Sequence, residues 1–150
     1  MKWLRLAYKL WMTLIAVAVV VQIGAAGYGA FYGANHLKDE GDVFAHHGWD
    51  HGWSFHTGLG WLIVYAILIA LVLALLARVG RPRIWFQLGL ALAGVLQIVF
   101  ALAGEDHPWV GIFHPLNAFI ILGLAGQIVA REWGAGHGGP RPAEASSAQL

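Results

Sequence analysis

Four long apolar runs, separated by short polar or basic stretches, organise this chain. They cover about residues 10–34, 54–77, 84–103 and 110–130. Each reaches or exceeds the ~20 residues that a helix needs to cross a bilayer. The first run follows a basic segment, MKWLRLAYK, which is also how a secretory signal begins. A cleaved signal carries an apolar stretch of only about 7 to 15 residues, so retention as a first span is favoured. Residues 78–83, RVGRPR, make a short basic turn in which Pro82 stops one helix before the next begins. Residues 104–109 form a tight acidic connection, and residues 35–53, NHLKDEGDVFAHHGWDHGW, are the one long polar connection. The predicted fold is all-α: an integral membrane four-helix up-down-up-down bundle occupying residues 1–133. The tail, 134–150, is rich in Gly, Pro, Ala and Ser and is predicted to be disordered.

Composition agrees with this pattern, because 59% hydrophobic residues against 11% charged ones exclude an ordinary soluble domain. The absence of cysteine excludes disulfides, thiolate metal sites and cysteine nucleophiles. The distribution of charge adds orientation. Lys2, Arg5, Lys9, Arg78, Arg81, Arg83, Arg131 and Arg141 fall on one side of a four-span arrangement and only Lys38 on the other. The positive-inside rule then predicts cytoplasmic termini. Asp39, Glu40, Asp42, Asp50, Glu105 and Asp106 lie outside. Tryptophans agree, with Trp11, Trp85 and Trp133 at the inner interface and Trp49, Trp53 and Trp109 at the outer one. Seven of eight histidines then sit at or near the outer face, leaving His137 inside.

The spans contain a repeat. The first holds VVVQIGAAGYGAF and the second begins FHTGLGWLIVY; the third holds GVLQIVFALAG and the fourth begins FHPLNAFIILG. Each half reads apolar-Gln-Ile, small and apolar residues, an outer loop, then Phe-His leading an apolar span. Two such hairpins entering from the same side are related by an axis along the membrane normal. His56 and His114 then share one depth on parallel, diagonal helices roughly 12 to 14 Å apart. Across that gap two imidazoles reach one planar metal macrocycle, for which Gly58, Gly60 and Gly123 leave room. Gln22 and Gln97 hydrogen-bond within the bundle or serve as interhelical contacts, Gln97 being the one strongly polar interior residue of the third span. Ala25, Gly29 and Gly33, and likewise Ala26, Ala30 and Ala34, form small-xxx-small rows that let helices approach closely.

The Gln, the small-residue run and the His-led helix of each hairpin resemble one four-helix half of heme A synthase. The chain is also similar to a family of small bacterial four-span membrane proteins with HxxxG on the second helix and HxxNA on the fourth. Here those motifs read His56-Thr57-Gly58-Leu59-Gly60 and His114-Pro115-Leu116-Asn117-Ala118. The resemblance covers residues 16–131. It implies haem b held by His56 and His114, with Gly60, Gln22, Gln97 and Asn117 around it. Heme A synthase carries acidic residues just before an equivalent histidine. Trp53, Ser54 and Phe55 stand there in this chain, which speaks against oxygenase-like synthase chemistry and leaves haem binding open.

A second candidate lies in the outer loop. If that segment is helical, His47 and His51 share a face, as do His46 and Asp50. Imidazole with carboxylate suits a divalent metal such as zinc, copper or nickel, although Gly48 and Gly52 weaken the helix. The blander readings are interfacial histidines bonded locally for His56 and His114, and a solvated loop for the His-rich segment. No phosphate-binding or nucleophile motif is present, and the basic residues fit topology and an anionic lipid surface rather than nucleic acid. The expected function is a small b-type haem protein passing or storing electrons near the outer face. The alternatives are a haem-free accessory or assembly subunit of a larger membrane complex, and metal handling through the outer loop; the partners expected besides the bilayer are a larger membrane complex or further copies of this chain.

Overall fold

The computed structural model describes residues 2–36 and 46–134; the side chains of His36 and of residues 46–50 are outside that description, as is the tail 135–150. The architecture is all-α. Helix α1 spans Lys2–His36, α2 His46–Leu76, α3 Arg81–Asp106, α4 Pro108–Gly111 and α5 Phe113–Gly134. Four segments are long and apolar enough to cross a membrane, the last comprising α4 and α5 together. α1 packs on α2 and α5, and α3 packs on the same two helices, whereas α1 and α3, and α2 and α5, are not neighbours. The bundle is therefore a closed square with α2 and α5 on one diagonal, as the repeat requires.

Helices α1 and α2 each begin eight residues before the apolar run predicted for them. The basic segment of α1 contains no helix breaker, and its Tyr8 is fully buried in the bundle. At the start of α2, Gly52 is not a weak point but a contact: a Cβ there would lie 2.9 Å from the Tyr32 ring. The turn after α2 is closed by a Schellman arrangement, with Arg78 N–H bonded to Leu75 O at 3.1 Å and Val79 N–H to Ala74 O at 3.3 Å. Arg78 takes the left-handed position, φ 49°, where glycine is usual. Pro82 thus opens α3 rather than ending α2. The α4–α5 break at Ile112 also has a local cause, since Pro115 has no N–H to donate to the Gly111 carbonyl and its ring crowds that oxygen.

The core stripe is built from Ile15, Val19, Ile63, Ile67, Leu90, Ile121 and Ile128 with Ala70, Ala74, Ala93 and Ala125. Large apolar side chains such as Leu62, Leu75, Leu92, Val99 and Phe119 point outward instead. An apolar exterior around an interior of aliphatic side chains interleaved with alanine is the distribution a lipid solvent permits. Of the two small-residue rows on α1, Ala25, Gly29 and Gly33 are buried, whereas Ala30 and Ala34 are exposed.

Burial follows the repeat. An offset of 75 residues carries Ile15 to Leu90 and Val19 to Gly94, and an offset of 58 carries Ile63 to Ile121 and Ile67 to Ala125, all of them buried. The same offsets carry the close crossings near the loop end. A Cβ on Gly29 would lie 2.9 Å from the Trp53 ring and 3.0 Å from Gly52 O; a Cβ on Gly104 would lie 2.7 Å from Gly111 Cα. In both hairpins a glycine lets the helices meet just above the histidine layer.

Toward the end where α1 begins and α5 ends, a second polar layer appears that the sequence pattern did not predict. Gln87 is fully buried; it accepts from Tyr8 Oη at 3.1 Å and donates to Ile67 O at 3.3 Å. Gln97 is therefore not the one polar interior residue of its span. Arg83 Nε pairs with Glu132 Oε1 at 2.9 Å, and Trp133 Nε1 donates to Thr13 Oγ1 at 3.1 Å beneath Lys9 Nζ. Trp11 is more than an interface marker, since its indole N–H donates to Ala66 O at 2.9 Å, well down α2.

Candidate functional site: a paired-imidazole layer

Each histidine is held by the glutamine of its own hairpin. His56 Nδ1 donates to the Gln22 carbonyl oxygen at 3.2 Å, and His114 Nδ1 donates to the Gln97 carbonyl oxygen at 3.0 Å. A carbonyl only accepts, so both Nδ1 atoms carry a proton, and in the neutral ring each Nε2 is then the nitrogen with the lone pair. The two half-buried rings approach across the α2–α5 diagonal with centroids 6.1 Å apart and planes 64° apart. Trp53 stands edge-on to His56 at 5.3 Å. A cavity of about 270 Å³ adjoins the pair, lined by Gln22, His56, Gln97, His114 and, toward the loop end, Trp53 and Glu105.

The hairpins differ in what surrounds the second ring nitrogen. In the α3–α5 hairpin, buried Asn117 donates to Ala93 O at 2.8 Å and to Gln97 Oε1 at 2.7 Å. That bond orients the Gln97 amide so that its Nε2 donates to His114 Nε2 at 3.2 Å. In the α1–α2 hairpin, Leu59 occupies the position equivalent to Asn117. Nothing orients Gln22 in the same way: its Nε2 donates to the His56 carbonyl at 2.7 Å, and its Oε1 is buried with no hydrogen-bond partner. The lone pair of His114 is thus capped from within, and a polar atom of Gln22 is left facing the layer unpaired.

The glycines take other places than expected. Gly58 and Gly123 are exposed, with no atom within 4 Å of an added Cβ, so they leave no room inside the bundle. Gly60 borders the cavity, but the space it leaves is taken by the Gln22 amide, whose Nε2 would sit 2.9 Å from a Cβ there.

For the outer His-rich segment, the start of α2 at His46 meets the condition set by the sequence and puts His47 and His51 one turn apart. His51 is exposed, and the side chains of His46, His47 and Asp50 lie outside the described residues. Among the described residues no group of three or more His, Asp or Glu is arranged to hold a metal ion.

No family model, no curated protein and no solved structure matches this chain. The geometry of the layer itself therefore carries the functional reading.

Proposed function

We propose that His56 and His114 are the axial ligands of a b-type haem and that the protein passes or stores electrons through it, close to the outer face of a bacterial inner membrane. The observation that carries this reading is the approach of two Nδ1-anchored imidazoles across the bundle diagonal. Two metal–imidazole bonds of about 2 Å, plus about one ring radius on each side, separate ring centroids by about 6 Å. The centroids here are 6.1 Å apart, a separation of that length, with the ring planes at 64°. The donor set points the same way. A bare zinc or copper ion takes three or four protein donors, whereas a macrocycle fills four positions itself and asks the protein for two.

Bound haem supplies one-electron chemistry; the chain supplies binding, orientation and electrostatics. The Nδ1–carbonyl bonds fix both tautomers and raise the basicity of each Nε2. Gln97 must give up its bond to His114 Nε2 for that nitrogen to ligate. Val19, Ile63 and Ile121 give the cavity an apolar wall beside the two rings. The excess of basic residues where α1 begins and α5 ends supports cytoplasmic termini, and with them a histidine layer toward the outer face.

The test is the visible spectrum of protein purified from haem-sufficient cells, oxidised and reduced. A stoichiometric Soret band with low-spin bands on reduction is expected, and its low-spin character should disappear in both His56→Ala and His114→Ala. A wild-type protein without a Soret band refutes the proposal.

A further inference from the structure

At the opposite end from the histidines, α3 begins beside the end of α5, and an open pocket of about 480 Å³ lies between them, lined by Val79, Pro82, Arg83, Arg131 and Gly134. Its two arginines are held differently. Arg83 is committed within the bundle: Nε pairs with Glu132 and one terminal nitrogen donates to Val79 O at 3.1 Å. Arg131 sits over the Phe86 ring, with the guanidinium carbon 3.9 Å from the ring centroid. A cation held on a ring face in this way keeps its N–H donors for another partner. They donate to no described residue, so the fork is held in place but unspent.

The surroundings fix the charge of any occupant. Lys2, Arg5, Lys9, Arg78, Arg81, Arg83 and Arg131 all lie at this end, against Glu132 as the one acid among the described residues there, and Glu132 is consumed by Arg83. α3 also presents its N-terminus here, with Gly80 at the cap position making no side-chain bond. The first turns of α3 that follow Pro82 and Arg83 carry an apolar surface: Trp85 and Leu88 are exposed. A single ligand satisfying a planar basic fork, a positive rim and an adjoining apolar wall has an anionic phosphate and an acyl chain.

We propose that this pocket is a site for the phosphate of an anionic phospholipid, with Arg131 as its principal donor and the acyl chains lying against the outer surfaces of α3 and α5. Basic pockets between membrane helices on the basic side recognise lipid headgroups in this way, and a fork of parallel N–H donors distinguishes a localised site from a diffuse positive surface.

The experiment compares the protein in phosphatidylcholine vesicles with the protein in phosphatidylcholine containing phosphatidylglycerol, followed by detergent exchange and quantification of the lipid that stays bound. Wild-type protein should retain phosphatidylglycerol in preference to phosphatidylcholine. Arg131→Gln should reduce that preference by about tenfold, the loss of one charge-assisted contact. Arg131→Lys, which keeps the charge over Phe86 but not the fork, should recover only part of it. Arg81→Gln removes the same charge from the same end but does not line the pocket, and should leave the preference in place. Equal losses in Arg81→Gln and Arg131→Gln, or no preference in wild-type protein, would overturn the site. Displacement of the bound lipid by millimolar inorganic phosphate would equally overturn a lipid site in favour of a free-anion site. Thermal unfolding of each variant in phosphatidylcholine alone separates a binding defect from a folding defect, since Arg131 is exposed and loss of its contact with Phe86 should lower stability by no more than about 1 kcal/mol.

Discussion

Replacing Asn117 by leucine gives the second hairpin the residue that the first one has at Leu59. Asn117 is 5% exposed and donates to Ala93 O at 2.8 Å and Gln97 Oε1 at 2.7 Å. The Ala93 carbonyl lies inside α3 and keeps its helical partner, so the substitution orphans only Gln97 Oε1. Interhelical side-chain hydrogen bonds in membrane proteins average about 0.6 kcal/mol and reach about 1.7 kcal/mol. Leucine restores the packing volume, which places the expected loss near 1 kcal/mol. The layer already tolerates one buried, unpaired amide oxygen at Gln22, which argues against a larger cost. Reversible unfolding in mixed micelles of Asn117→Leu, Gln97→Leu and the double variant should give a coupling of about 0.6 to 1.7 kcal/mol. Nitrogen NMR of the imidazoles adds a local readout: the His114 Nε2 signal should move toward that of His56 once Gln97 is no longer oriented. A coupling near zero, or an unmoved His114 signal, would refute the claim that Asn117 orients Gln97 onto the ring.

Other consequences follow from the packing. Gly104→Ala pushes a methyl onto Gly111 Cα, a backbone atom that cannot turn aside, and should cost about 1 to 3 kcal/mol. Gly123→Ala, with open space around it, should instead stabilise by up to about 1 kcal/mol, and the two are compared by unfolding in the same micelles. Tyr8→Phe removes the donor to Gln87 and should lower stability by about 1 kcal/mol, with Gln87→Leu adding little more in the double variant. Gly60→Ala meets only the flexible end of Gln22, so stability should change by less than about 1 kcal/mol while haem affinity, titrated spectroscopically, shifts.

Much of this fold was legible because a membrane span announces itself by length alone, and the Gln–His repeat fixed which helices had to be diagonal. His56, His114, Gln22, Gln97 and Asn117 do converge on one layer. What stayed hidden depended on contacts between hairpins or on backbone geometry. Tyr8 and Gln87 are 79 residues apart, and Tyr8 reads in sequence as part of a basic flank. The Schellman turn at Arg78 lacks the glycine that normally signals it. Gly60 carried the right position but the wrong tenant, because a glycine reports that something approaches without saying what. The inequivalence of the two histidines rests on one exchange, Leu59 against Asn117, and comparing the two motifs residue by residue was the signal that could have exposed it.

Bis-histidine haem ligation is tested most directly by the reduced-minus-oxidised spectrum of the wild-type protein beside those of His56→Ala and His114→Ala. The expected result is a low-spin haem spectrum near one haem per chain in the wild type, lost in each variant. A wild-type protein that purifies without haem, or low-spin bands that persist in both variants, would contradict it.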